Sequence, residues 1–237
     1  MRPQILIPFV LLVFACSRGE PSPAPEHSAQ DFSPDYDPSV LSVPFAVDDH
    51  YVPSGCMGDC STSVTIDNDC PERGARAAQG ECHHFVYLAD AAAEQGWAGL
   101  LWQTDEHNWG SSNGRTVTPG ARQVRFWARV AADGAATGDS PLTILVGAMD
   151  AADGGEPCSM DTECASARCV GGACKAPFHD TLNVTADESL GTEWQEFRIP
   201  FENKSYGGTV LSGFGWSLTM PVSARRIEFY LDDIRWE

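Results

Sequence analysis

Gln123-Val124-Arg125-Phe126-Trp127-Ala128-Arg129-Val130 is the stretch on which the fold class turns. Its even positions are apolar, and its odd positions are polar or amphipathic. A period of two is what a β-strand converts into one buried and one exposed face. Working outward, similar short runs occur at 97–103, 142–147, 181–185, 194–200, 213–220 and 226–237, with Gly, Pro, Asn and Asp between them. Only 89–95 invites a helix, and it is short. Regularly spaced strands with turn residues between them predict an all-β sandwich or jelly roll rather than an α/β plan.

The 237 residues carry 33 acidic and 15 basic side chains, a formal charge of −18. Phosphate binding needs a basic face, so no nucleic-acid partner is expected. Docking on anionic lipid through protein charge is excluded on the same ground. The first residues read as an export signal: Arg2, then an apolar run over 5–15 interrupted by Pro8. That length suits the core of a secretory signal. Leu12-Val13-Phe14-Ala15-Cys16 resembles a bacterial lipobox, departing from the pattern at Val13 and Phe14. The resemblance implies cleavage after Ala15 (1–15 as signal peptide), diacylation of Cys16 and anchoring in a lipid bilayer. Ser17 in place of Asp then implies outer-membrane or cell-surface sorting. Ordinary secretion, with Cys16 as a plain residue, is the competing reading. Residues 16–44 follow as a tether, with Pro21, Pro23, Pro25, Pro34, Pro38 and Pro44 among small and acidic residues that offer little to bury.

Removing Cys16 leaves eight cysteines in two groups of four, an even count that reads as a disulfide framework in an exported chain. In the first group, Cys56 and Cys60 flank a tight loop, and Cys70 and Cys82 flank a Gly- and Arg-containing one. Cys56–Cys60 with Cys70–Cys82 is the favoured arrangement of the three that four cysteines allow. The second group, Cys158, Cys164, Cys169 and Cys174, lies in an insert at 150–176 with almost no core material, so it needs staples to fold. Its gaps fit tetrahedral zinc poorly. The insert should protrude between two strands as a knob.

A family resemblance rests on three stretches in order. Phe45-Ala46-Val47-Asp48-Asp49 is similar to the first strand of galactose-binding-like carbohydrate-binding modules. Trp194-Gln195-Glu196-Phe197-Arg198-Ile199-Pro200 resembles an internal strand of theirs. Ile227-Glu228-Phe229-Tyr230-Leu231-Asp232-Asp233-Ile234-Arg235-Trp236 resembles their last strand, which lies beside the first. The resemblance covers 45–237 apart from the insert, and it implies a β-jelly-roll that binds glycan without catalysis. The insert's spacing resembles a Dickkopf-type or EGF-like knot. If the first and last strands are neighbours, Asp48, Asp49 and Asp232 come close, and side-by-side carboxylates are relieved by calcium, a hard ion taking oxygen ligands. The modules commonly hold one structural calcium there. The competing reading has these aspartates accepting hydrogen bonds at strand ends. Asp67-Asn68-Asp69 looks like a calcium-loop fragment but lacks the Gly and distal Glu of an EF-hand.

No Gly-x-Ser-x-Gly, His-Glu-x-x-His or Gly-x-x-x-x-Gly-Lys occurs, and no carboxylate pair is marked out for glycoside hydrolysis, so no enzymatic activity and no organic cofactor are expected. His83 and His84, adjacent on a strand, should face opposite ways, one packed and one solvated. Sugars present flat C–H faces with hydroxyl rims, so their sites combine aromatic platforms with planar hydrogen-bonding groups. Trp127 shares its strand face with Arg125 and Arg129 and is expected on a concave polar surface, joined by Trp102, Gln103, Asn108 and Trp109. Trp194 and Trp236 are expected in the core. A glycan is thus the expected ligand. The alternative is surface adhesion or assembly, with a protein partner docking on the cysteine-rich insert.

Overall fold

A computed structural model describes residues 40–88, 94–132, 141–202, 204, 206, 209–220 and 225–237. The expected signal peptide, Cys16, the expected tether as far as residue 39, and most of the candidate helix at 89–95 lie outside the described residues.

The fold is a jelly-roll β-sandwich of two antiparallel sheets. One sheet runs in the order β14 (Gln195–Pro200), β8 (Gln123–Val130), β17 (Arg226–Trp236), β5 (Cys82–Leu88) and β4 (Val64–Asp67). The short β2 (Phe45–Ala46) also pairs with β17, Phe45 opposite Trp236, so the first and last strands of the resemblance are neighbours. The facing sheet runs β13 (Asn183–Glu188), β9 (Leu142–Gly147), β16 (Ser212–Thr219), β6 (Trp97–Gln103) and β3 (Val52–Gly58).

The alternation in β8 is realised as expected. Val124, Phe126, Ala128 and Val130 are buried, with Arg125, Trp127 and Arg129 on the outer side of the sheet, where Arg129 is itself covered rather than exposed. Between the sheets the aromatic rings meet edge-on: Phe85–Trp216 at 5.2 Å, Trp216–Phe229 at 5.0 Å and Trp102–Phe214 at 5.2 Å between centroids. Such pairs add about 0.5–1.5 kcal/mol each beyond simple burial.

The folded domain begins earlier than residue 45. Val40–Leu41 form β1, which pairs in parallel with β7 (Arg115–Val117), and Leu41 is buried in the main core. An apolar pair expected at the end of the tether thus packs within the folded domain.

The disulfides join Cys56–Cys60, Cys70–Cys82, Cys158–Cys169 and Cys164–Cys174. The first two pairs are those favoured from spacing. The last two pair alternate cysteines of the insert, stapling a small sheet of β10 (Ala152–Pro157), β11 (Cys169–Val170) and β12 (Ala173–Lys175). The insert leaves β9 and returns to β13, which are hydrogen-bonded neighbours, so it extends a hairpin without disturbing the sandwich. Its base does not stand clear of the body. Met149 packs with Leu101 and Leu211 in a second apolar cluster, which Met57, Trp109, Leu145 and Ala151 flank.

Candidate functional site

The candidate glycan-binding residues separate into three places. Trp102 is fully buried: its ring meets His83 edge-on at 5.2 Å, and its Nε1–H donates to Asp48 Oδ1 at 2.7 Å. Gln103 and Asn108 are buried as well. Gln103 Nε2 donates to the Asn108 carbonyl (3.0 Å), and its Oε1 accepts from the Ser54 hydroxyl (3.2 Å). Asn108 Oδ1 accepts from the Gly110 and Ser112 amides at 3.1 and 3.2 Å. These three residues therefore correct the expected exposed platform. Strand β6 has apolar residues on both faces, and its neighbours cover both, so neither Trp102 nor Gln103 reaches solvent. Gln103 and Asn108 shape the loop that presents Trp109, which is half-buried beside the insert.

Arg125, Trp127 and Arg129 do come together, on the outer face of the sheet containing β8. The loop closed by Cys70–Cys82 folds over this face. Arg76, from its short 3-10 turn, sits with its guanidinium carbon 4.6 Å from the centroid of the Trp127 ring and 4.7 Å from that of Trp194. Arg129 continues the stack at 5.3 Å from Trp194 and 4.9 Å from Tyr230, whose ring stacks on His84 at 4.6 Å. The result is a ladder in which aromatic rings alternate with guanidinium groups, each contact worth about 0.5–1 kcal/mol where water has access. Trp194 is thus not a core residue. It precedes β14 at the sheet's edge, half-buried, with its indole N–H donating to the Pro71 carbonyl at 3.3 Å. Arg76 and Trp194 escaped the sequence reading because nothing local to them signals that a disulfide loop and a strand end meet over β8.

The ladder's charges are matched. Arg129 pairs with Glu72 at 2.9 Å, and Arg125 with Asp233 at 2.9 Å and Glu237 at 2.8 Å. Asp232 lies opposite Trp127 in the register and is fully buried beneath the loop. Arg73 holds it with two hydrogen bonds, at 3.0 and 2.7 Å, and this bonding raises the arginine's own pKa.

That pairing bears on calcium. Asp232 is neutralised by a guanidinium fork, a geometry suited to carboxylates. Asp49 is exposed, and Asp48 Oδ1 already accepts from His83 (2.9 Å) and Trp102. Asp48, Asp49 and Asp232 as placed do not fit an ion that wants six or more oxygen ligands. What the fold gathers instead is Asp48, Glu81 and His83, with ligand atoms within 4.8 Å of one another. The strand-end hydrogen bonds offered as the competing reading describe Asp48. His83 and His84 face opposite ways as expected, but His84 is not solvated, since its ring is largely covered and stacks on Tyr230. His83 is packed, and His84 bonds Asp67 at 3.0 Å and Glu228 at 2.9 Å.

No protein-family model and no curated protein matches the chain. Among solved structures it is similar to TmCBM61, determined in complex with β-1,4-galactotriose, with a TM-score of 0.35 at 14% identity over 81% of this chain and 93% of that one. It is also similar to a CBM4 structure (TM-score 0.32, 13% identity, 74% and 94% covered). A carbohydrate-binding module from the β-sandwich superfamily, studied for promiscuous specificity, gives a TM-score of 0.36 at 12% identity, with 81% and 60% covered. At these values the question of a ligand rests on this chain's own side chains.

Proposed function

We propose that the protein is a non-catalytic glycan-binding lipoprotein, carried to the cell surface by export and acylation of Cys16, that takes neutral polysaccharide on the outer face of the sheet containing β8. The observation that carries this reading is the ladder of Trp127, Arg76, Trp194, Arg129 and Tyr230. Its two partly exposed indoles offer apolar surface for sugar C–H faces. Arg76, with the neighbouring Glu72 and Glu196, offers hydrogen bonds for hydroxyl rims, while the buried Arg129 holds the rings in place. Across the face Arg73, Arg76, Arg125, Arg129 and Arg235 are matched in number by Glu72, Glu196, Asp232, Asp233 and Glu237, so the face has no surplus positive charge to draw an anionic ligand. A neutral polysaccharide fits better than an acidic one.

Trp127→Ala and Trp194→Ala should each abolish retention on the neutral polysaccharides that hold the wild-type chain. Each should cost only about 1 kcal/mol of stability, the scale of a partly exposed cation–π contact. Affinity electrophoresis in xylan, β-glucan and galactan gels, with urea titrations alongside, checks both parts. Retention unchanged in both variants would remove the ladder as the binding face. Independently, Cys16→Ala should move the protein from the membrane fraction to the soluble fraction, since stable anchoring depends on the acyl chains. Persistent membrane association in that variant would refute the lipid anchor.

A second reading keeps a protein partner at the insert. It is favoured by Met160 and Val170, large apolar side chains left 57% and 44% exposed there.

A further inference from the structure

An open cleft of about 420 Å³ separates the Trp109 loop from the cysteine-rich insert. Its lining includes Trp109 and Ser111 from the sandwich, Asp153 and Ser166 from the insert, and Ala176 and Pro177 where the insert returns. We propose that this cleft is a second ligand site, taking a single neutral pyranose unit, so that the insert serves as the wall of a binding site.

The walls are held in place by bonds from several directions. Asn108 gathers the amides of Gly110 and Ser112 and so fixes the turn around Trp109. The Gly110 carbonyl then accepts the Phe178 amide at 3.1 Å, tying that turn to the chain leaving the insert. Gly110 has φ +91°, and a Cβ there would stand 2.4 Å from the Phe178 carbonyl oxygen, so only glycine permits this approach. On the opposite wall the Ser166 amide donates to Asp153 Oδ2 at 3.1 Å. The two disulfides hold the insert's small sheet, and Arg168 binds the Ala176 carbonyl at 2.9 Å.

The chemistry of the lining points to the ligand. Trp109 with the methyl and ring carbons of Ala176 and Pro177 makes an apolar side. Two hydroxyls and a carboxylate make a polar one. Among the described residues, the Ser166 hydroxyl oxygen is shielded from solvent and has no hydrogen-bond partner. A buried hydroxyl without a partner is a standing cost to the fold, and a ligand in the cleft that Ser166 lines can supply the missing bond once the side chain turns about χ1 toward it. A pyranose has both an apolar face and a hydroxyl rim, and the volume falls within the usual range for small-molecule sites. Asp153 and the chain's charge of −18 disfavour an anionic ligand. The site shares its ligand class with the ladder and none of its residues.

The test uses the full mature chain and three probes: methyl β-glucopyranoside, methyl β-galactopyranoside and methyl β-xylopyranoside, followed by saturation-transfer NMR and calorimetric titration. The wild type should bind at least one. Ser166→Ala should weaken that binding by about three- to tenfold, one hydrogen bond's worth. Its melting temperature should stay level or rise, because the variant removes an unpaired buried hydroxyl. Binding should persist in a Trp127→Ala background, where the ladder is disabled, and Trp109→Ala added to that background should abolish it. The inference is overturned if no probe binds, if Ser166→Ala binds as the wild type does, or if Trp127→Ala removes the signal, which would assign these sugars to the ladder. Loss of polysaccharide retention in Trp127→Ala with pyranoside binding preserved would support both sites separately.

Discussion

Trp102→Ala is expected to cost about 3–5 kcal/mol of stability, the range for truncating a fully buried tryptophan. The side chain has no exposed surface and touches His83, Phe85 and Phe214 by ring contacts. It also donates to Asp48 at 2.7 Å, so truncation leaves that carboxylate one donor short as well as opening a cavity. Trp102→Phe should recover most of the packing but not the hydrogen bond, and should lie between the two. A marginally stable domain of about 5–15 kcal/mol loses a large share to the alanine change. Urea titrations of the two variants beside Trp127→Ala measure the contrast. If Trp102→Ala cost under about 1 kcal/mol, the residue would not occupy the core, and its place on a sugar platform would reopen.

Asp180→Ala should be comparably damaging, on the order of 3–6 kcal/mol, since each buried donor left unpaired costs roughly 1–3 kcal/mol. Asp180 sits where the insert rejoins the sandwich. Its carboxylate accepts from Met149 at 3.0 Å, Leu211 at 2.6 Å and Ser212 at 3.2 Å, linking the insert's base to β16. Burial pushes its pKa up to about 6, against the three N–H donors that pull it down. A carboxyl whose folded pKa is raised favours folding most when protonated. Its contribution is therefore present below the unfolded value near 4 and is lost as pH rises through about 6. The span amounts to about 3 kcal/mol. Asp180→Asn cannot ionise, so the wild type's advantage over it should be greatest near about pH 4 and shrink by about that amount near about pH 8. Urea titrations of both proteins at the two pH values test the sign. An advantage that grew with pH would mean that the three amides outweigh burial and hold the carboxylate charged.

The strand pattern of β8, the pairing of Phe45 with Trp236 across β2 and β17, and the disulfides Cys56–Cys60 and Cys70–Cys82 were all legible in the residues. The strand pattern and the two disulfides depend on short-range facts: alternation at period two, and loops short enough to close on themselves. The pairing of Phe45 with Trp236 instead joins the two ends of the domain and is implied by the family resemblance. The site was legible only in part. Trp127 with its two arginines was placed on the correct side of its strand because that strand alternates cleanly. Trp102 was misplaced because Trp-Ala-Gly-Leu-Leu-Trp-Gln in β6 is apolar on both faces, so its pattern does not say which face is inward.

What the sequence determined by itself is therefore the local periodicity and the local cross-links, from which the all-β class follows. The tertiary structure decided which aromatic side chains remain within reach of water. Leu101 is covered from outside by residues at the base of the insert, Trp102 lies between the sheets, and Trp127 meets Arg76 from a loop some fifty residues away. Burial is set by whatever packs on a face. Those covering groups come from strand order and loop path, which one strand's pattern does not encode.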